Sequence, residues 1–120
     1  DLNLDQLRSL KSKQLPPCFH LYVQSDDEFD LRARMFASLD GVIEDPATGS
    51  ANCALAGLLG QTMDEEEGEF SWKIAQGVEM GRPSKLQARV CKKGGKVISI
   101  WIGGNCVTFS EGFLNVNPTV

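Results

Sequence analysis

A short polar stretch near the middle of the chain holds the side chains best suited to bind a small ligand. Asp45, Thr48, Gly49 and Ser50 lie close together and are followed at once by an apolar segment that predicts a helix. The first turn of a helix has free N–H groups and the positive end of the helix dipole, which together favour an anion. A glycine there lets a carboxylate or phosphate come close. The stretch therefore indicates an anion site at a helix start.

The same residues also fit a helix start that binds nothing. Asp45 and Thr48 can accept backbone N–H bonds as caps, and Pro46 suits a first-turn position, where no donor is required. A capped, buried helix explains the stretch from Asp45 to Ser50 as well as a ligand site does. Taken alone, these residues leave both interpretations open.

The apolar segment that follows must position these residues. Its apolar side chains repeat at the three-and-four spacing of one helix face, at Ala51, Ala54, Leu55, Leu58 and Leu59. The other faces are small and uncharged, and only Asn52 interrupts them. A helix that is apolar nearly all round is normally enclosed, and burial of its leucines would contribute about 1.5 to 3 kcal/mol each. We therefore expect a central, buried helix that runs to about Gly60.

Composition is that of one soluble globular domain. Of the 120 residues 42% are hydrophobic and 23% charged, and the net charge is -4. We expect no nucleic-acid partner, because there is no basic stripe with interleaved aromatic residues. Without a long apolar run or a signal-like segment, we expect no membrane partner. Widely spaced cysteines in apolar segments are typical of reduced core thiols in a cytoplasmic protein; they are Cys18, Cys53, Cys91 and Cys106.

Period-two patterns on both sides of the helix predict β-strands. They cover residues 18–24, 29–36, 70–75, 86–91 and 97–101, with later strands at 106–109 and 113–116. Lys93–Lys96 supplies a two-glycine hairpin turn, and Gly103–Gly104 is expected to bend or bulge the sheet. A short amphipathic helix is expected before the first strand, at Leu4, Leu7 and Leu10. Strands on both sides of one enclosed helix make an α+β fold in which a curved sheet wraps the helix.

Other chemistries fit the sequence less well. Serine hydrolysis lacks a G-x-S-x-G elbow and has only His20 as a base, which is more simply a half-exposed strand residue. The sequence has no lysine-containing string of a nucleotide phosphate loop, and the acidic run 64–69 lacks the spacing of a calcium loop.

Two arginines are candidates for the site. Arg34 could reach a carboxylate near the helix start but is more simply a solvated residue, which leaves it outside the site. Arg82 is either an anion contact or structural.

Several sequence blocks taken together resemble one known family. They are EDPATGSA at 44–51 with its apolar helix, QGVEMGRPS at 76–84, Ile102-Gly103-Gly104, and Glu111-Gly112. In this order, from about Arg34 to Leu114, they resemble the carboxy-terminal half of the phenazine-biosynthesis-like isomerases, which share the fold of diaminopimelate epimerase. The first two blocks are the specific ones.

The resemblance implies an architecture and a set of partners. It implies a barrel-like mixed sheet around one central buried helix, as in a half of diaminopimelate epimerase. Residues 1–120 would then be a single domain, the second half of a two-domain isomerase, and the chain a fragment. Its partners would be the amino-terminal half of the same protein and further copies of itself, because a domain without its companion half exposes the apolar surface which that half covers.

The resemblance also implies an activity without metal or cofactor. Such isomerases move a proton at carbon, and the proton-shuttling glutamate of this branch belongs to the first half. Asp45 and Ser50 are then the expected catalytic residues: Asp45 would hold an amino or hydroxyl group of a small carboxylated substrate, and Ser50 its carboxylate or a developing oxyanion. Thr48 and Gly49 would complete the substrate site. The chain by itself would be inactive. The alternative is a non-catalytic module that binds small anions or another protein.

Overall fold

The protein is α+β, as the sequence predicts, with six strands and one long helix in the segment from residue 18 to residue 116. The computed structural model describes this segment and residues 3, 5, 6, 8, 9 and 13. The strands are β1 (Phe19–Gln24), β2 (Leu31–Ala37), β3 (Val42–Asp45), β4 (Gly68–Gln76), β5 (Ser84–Lys93) and β6 (Lys96–Gly104). A 3-10 turn spans Ser38–Asp40, and the helix α1 spans Gly49–Thr62. Leu4, Leu7 and Leu10, which carry the predicted amino-terminal helix, lie outside the described residues.

All six strands belong to one mixed sheet. Its order is β1-β2-β4-β5-β6, with β3 also paired to β2. β2 and β4 are parallel and the other neighbours are antiparallel. The sheet is not closed, because β1 and β6 are its two edges. The predicted barrel-like wrap is therefore not confirmed for the described part of the chain.

Strand β2 brings the ends of two other strands together. β4 pairs with the first half of β2, where Ala33 lies opposite Gln76. β3 pairs with the second half, where Met35 lies opposite Asp45. Because β4 is parallel to β2 and β3 is antiparallel to it, both strands finish beside the middle of β2. Gln76 and Asp45, the last residues of β4 and β3, are thus placed next to each other.

One face of α1 packs on β5 and β6. Leu55, Ala56 and Gly60 of the helix are buried. The helix lies so close to the sheet that a Cβ added at Gly60 would come within 2.7 Å of Val90 Cγ2, and one added at Gly57 within 2.8 Å of Ile100 Cδ1. The small residues of the helix are therefore what lets the two layers approach each other.

The opposite face of α1 is open, which corrects the prediction of a fully enclosed helix. Ala54 is exposed and Leu58 keeps 57% of its surface accessible. This face borders a groove of about 330 Å³ between the helix and β1; it is lined by Cys18, His20, Tyr22, Met35, Ala51, Ala54, Leu55 and Leu58. The sheet covers only one side of the helix, so the apolar pattern overstated its burial.

The hairpin prediction is confirmed, and the strands predicted after it are wrong. β5 and β6 are joined through Gly94 and Gly95, which both have positive φ, at 56° and 72°. Gly103 and Gly104 end β6 without a bulge, since the irregular register between β5 and β6 lies between Cys91 and Lys92. Residues 105–116 form no strand and are exposed. A period-two pattern needs a neighbouring strand to pair with, and the described residues provide none there.

β1 is tied to the helix by a hydrogen bond that crosses the groove. His20 Nε2 lies 3.2 Å from Asn52 Oδ1, and no described group bonds to the buried His20 Nδ1. Burial lowers the pKa of His20 below its usual value, and the bond with Asn52 opposes this in part. The imidazole can therefore donate from Nε2 to the helix, and His20 is partly exposed on β1, as the sequence predicts.

No disulfide joins the four cysteines, all of which lie among the described residues. Cys18, Cys53 and Cys91 are partly buried, and Cys106 is exposed. Within the described ranges, no helix has the length and apolar character needed to cross a membrane.

We expect Gly77→Ala to destabilise the protein more than Gly81→Ala. Both glycines have positive φ, at 75° and 77°, so both variants carry the left-handed strain of about 1 to 2 kcal/mol. A Cβ at Gly77 would also overlap the Arg82 carbonyl oxygen and lie 2.9 Å from Pro46 Cα, whereas one at Gly81 meets nothing within 4 Å. Urea unfolding should show a further loss of about 1 to 3 kcal/mol for Gly77→Ala. Equal losses would contradict the close contact between residues 77 and 46.

We expect acidification to destabilise the protein through His20. An unfolded chain takes up a proton on histidine near pH 6.5, whereas the folded chain does so only at lower pH, since its pKa is lowered. The free energy of unfolding should therefore fall as the pH drops from 7.5 to 5.5, by no more than about 1.4 kcal/mol per pH unit. His20 is the only histidine, so the non-titrating donor variant His20→Gln is the control. Equal slopes of the free energy of unfolding against pH in the two proteins would contradict the assignment of this effect to His20.

Candidate functional site

The four predicted site residues lie together where β3 passes into α1. Asp45 ends β3, Thr48 immediately precedes the helix, and Gly49 and Ser50 open its first turn. Asp45 and Thr48 are partly buried, whereas Gly49 and Ser50 are exposed. The free N–H groups of the helix start therefore face accessible space beside a carboxylate.

The helix start is not capped in the predicted way. No side chain caps the helix at Thr48. Its hydroxyl instead donates to Asp45 Oδ2 at 2.5 Å and accepts from Gln76 Nε2 at 2.9 Å. Pro46 precedes the helix and is not part of its first turn. The predicted capping role is wrong because Gln76 competes for the Thr48 side chain, and the helix N–H groups are left open.

Gln76 is the buried centre of this arrangement. Its side-chain oxygen accepts from Thr48 N at 3.2 Å and from Asn52 Nδ2 at 2.7 Å. Its nitrogen donates to the Asp45 carbonyl oxygen at 2.7 Å and to the Thr48 hydroxyl. Two donated and two accepted bonds use the full capacity of an amide side chain. We call Asp45, Thr48, Asn52 and Gln76 the Gln76 cluster.

Asn52 explains the single polar interruption of the helix. It is fully buried and donates from Nδ2 to the Thr48 carbonyl oxygen at 2.8 Å and to Gln76. Its oxygen faces His20. A lone polar residue in an apolar helix was the one sequence signal for this network, because a buried amide must find partners. Its partners were not predictable from spacing alone.

Arg34 is fixed to Glu44, the residue before Asp45. Two bonds of 2.9 Å join its guanidinium to the two carboxylate oxygens. This forked contact lowers the pKa of Glu44 below its usual value, and desolvation by burial opposes the shift only in part. The structure thus favours the carboxylate contact over the solvated residue that we expected for Arg34. The contact between Arg34 and Glu44 holds β3 against β2 just before the site. Arg82, the other candidate arginine for the site, is exposed.

The open groups at the helix start define what the site can bind. Asp45 Oδ1 and the N–H groups of Gly49 and Ser50 make no hydrogen bond within the part of the chain that the structure describes. A carboxylate oxygen can accept from an amino or hydroxyl group, and helix N–H groups can donate to a carboxylate. Among the described residues no group of three or more histidine, cysteine or acidic side chains could hold a metal ion.

The sequence also matches known proteins. A family model described as phenazine biosynthesis-like protein matches residues 3–112. A trans-2,3-dihydro-3-hydroxyanthranilate isomerase of Pseudomonas aeruginosa is 43% identical over 81 residues, which cover 68% of this chain and 29% of that protein. An uncharacterized isomerase of Mesorhizobium japonicum is 44% identical over 71 residues, 59% of this chain and 24% of that protein.

A longer match shows how much of such a protein is present here. An uncharacterized isomerase of Pasteurella multocida is 32% identical over 125 residues, which cover 92% of this chain and 42% of that protein. The chain thus spans less than half the length of these curated relatives. With nearly its whole length matched by one family model, this chain belongs to the phenazine biosynthesis-like protein family.

Proposed function

We propose that this chain is the substrate-holding part of a cofactor-independent isomerase that moves a proton on a small carboxylated substrate. The observation that carries the proposal is the Asp45 carboxylate, fixed by Thr48 beside the exposed N–H groups of Gly49 and Ser50. The relatives named as isomerases support the reaction class. One site can thus bind both ends of an amino- or hydroxy-carboxylate.

In the proposed reaction the substrate carboxylate binds at the helix start. The Gly49 and Ser50 N–H groups and the Ser50 hydroxyl donate to it or to an oxyanion that develops from it. Asp45 Oδ1 accepts from the amino or hydroxyl group. A base removes the proton from one carbon, the electrons shift along the substrate, and the proton returns to another carbon. Nothing is oxidised or reduced, so no further reactant is needed.

We assign the base, a glutamate, to a companion amino-terminal half of the same protein. Residues 1–120 would then be the carboxy-terminal domain, a fragment that is inactive alone. Support comes from the length of the relatives and from exposed apolar surface outside the site. Five apolar side chains after β6 are at least 76% exposed: Val107, Phe109, Phe113, Leu114 and Val116. The companion half would cover this surface and complete the barrel around α1.

The second candidate is a module that binds small anions without catalysis. It is favoured by the helix start itself, where the described residues offer no proton-transfer group besides Asp45. The two candidates differ in the rest of the gene. A preceding half with a glutamate facing Asp45 supports the isomerase, and a gene without one supports the binding module.

We expect Asp45→Asn to lower turnover of the complete protein by about 10² to 10⁴-fold. Asparagine keeps the size of the side chain, so the melting temperature should change little. Ser50→Ala should act more weakly, because the backbone N–H groups remain. Turnover of trans-2,3-dihydro-3-hydroxyanthranilate, named for the relatives, and melting temperature are measured for both variants.

The contrast between the two variants is decisive. If Asp45→Asn unfolds the domain, Asp45 has a structural role, and if it leaves turnover unchanged, Asp45 has no role in the reaction. A variant that retains its fold, loses turnover and still binds the substrate supports the proposed role.

We expect the 120-residue chain alone to form dimers or larger assemblies. The exposed side chains from Val107 to Val116 add to the open helix face at Leu58, and apolar surfaces of more than a few hundred Å² usually find a partner. Light scattering after size exclusion measures the mass. A monomer near 13.1 kDa at high concentration would contradict this prediction.

A further inference from the structure

We propose that Thr48 and Gln76 are positioning residues that hold the Asp45 carboxylate in one orientation, at the end of a hydrogen-bond series with a fixed direction. The series runs from His20 through Asn52, Gln76 and Thr48 to Asp45. Its distances are 3.2, 2.7, 2.9 and 2.5 Å. This inference rests on the proposed function only in so far as it takes Asp45 to contact the substrate.

The direction of the series is forced at Gln76. Its oxygen lies against the Thr48 backbone N–H, which can only donate. Its nitrogen lies against the Asp45 carbonyl oxygen, which can only accept. Exchanging the two atoms would set donor against donor and acceptor against acceptor and break both bonds. The amide therefore has one allowed orientation, in which it donates to the Thr48 hydroxyl.

The same reasoning fixes the groups on either side of Gln76. Asn52 Nδ2 faces the Thr48 carbonyl oxygen, which leaves Asn52 Oδ1 as an acceptor for His20. The Thr48 hydroxyl already accepts from Gln76, and its single hydrogen points to Asp45 Oδ2. Every member thus donates towards Asp45, and bonds aligned in this way strengthen one another.

The consequence for Asp45 is a restricted side chain with one free oxygen. Oδ2 is held by a hydroxyl that cannot turn away without losing its place between Gln76 and Asp45. Oδ1 makes no hydrogen bond within the described residues and remains for a ligand. A misplacement of a positioning group by about 1 Å can cost about 10²-fold in rate. The buried amides thus act on the reaction through the orientation of Asp45.

The test compares Thr48→Val, which keeps the shape of threonine, with Thr48→Ser, which keeps the donor. Three-bond couplings to the Asp45 carboxyl carbon, measured by NMR in the complete protein with labelled aspartate, report its side-chain rotamers. We expect a single rotamer in the unmodified protein and in Thr48→Ser, and rotamer averaging in Thr48→Val. A single rotamer in Thr48→Val, or averaging in both variants, overturns the inference.

A measurement without substitution covers the case in which Thr48→Val does not fold. The ¹⁵N shifts of His20 should show a proton on Nε2 and none on Nδ1 at neutral pH. A proton on Nδ1 would reverse the first bond and overturn the fixed direction.

Turnover then separates this inference from the proposed function. With trans-2,3-dihydro-3-hydroxyanthranilate as the probe, Thr48→Val should lose about tenfold to 10²-fold in kcat with little change in KM, and Thr48→Ser should retain most of it. If Asp45 becomes mobile in Thr48→Val while neither that variant nor Asp45→Asn loses turnover, the positioning stands and the proposed role of Asp45 fails.

Discussion

The buried amide of Gln76 is the interaction on which the site depends. It is fully inaccessible and has all its hydrogen-bonding capacity in use. An unpaired buried amide costs about 1 to 3 kcal/mol, whereas a paired one is roughly neutral or favourable. The four bonds therefore stabilise one geometry strongly against its alternatives. That geometry joins the end of β4, the end of β3 and the start of α1.

The same constraint explains why the helix start remains open to a ligand. In most helices a side chain at the position of Thr48 accepts an N–H bond of the first turn. Here the hydroxyl is engaged between Gln76 and Asp45, and the helix leaves its first N–H groups unpaired in the described structure. Stability at this point comes from the amide network and from the forked contact of Arg34 with Glu44. Because these contacts do not use the first N–H groups of the helix, those groups remain available to donate to a ligand.

Local features were predictable from the sequence, and contacts between distant segments were not. The apolar spacing after Gly49 and the glycines at Gly94 and Gly95 act within a few residues, and the helix and the hairpin were predicted for that reason. The four residues of β3 are too few to show a pattern. The strands predicted after residue 105 have the alternating pattern but no neighbouring strand within the described structure, so the pattern alone gave a wrong prediction. The choice between a solvated and a paired Arg34 depended on the pairing of β2 with β3.

The part of the candidate site that is local in sequence was predictable, and the part that depends on contacts between distant segments was not. Asp45, Gly49 and Ser50 are close in sequence, and they remain close in space whatever the fold. Gln76 lies 28 or more residues away from each partner except Asn52, which is 24 away. Its role follows only from the pairing of Ala33 with Gln76 and of Met35 with Asp45 along β2. No local pattern carries that information.

The shared use of β2 by β3 and β4 determines where the chain can change in length. Insertions between β1 and β2, or at the hairpin tip around Gly94, leave the alignment of β2 with its neighbours untouched. One residue added between Ala33 and Met35 would turn Met35 to the other face of the sheet and shift Asp45 away from Gln76 by about 3.3 Å. Homologous proteins can therefore vary widely in their loops, whereas the number of residues separating these two pairing positions is fixed by geometry.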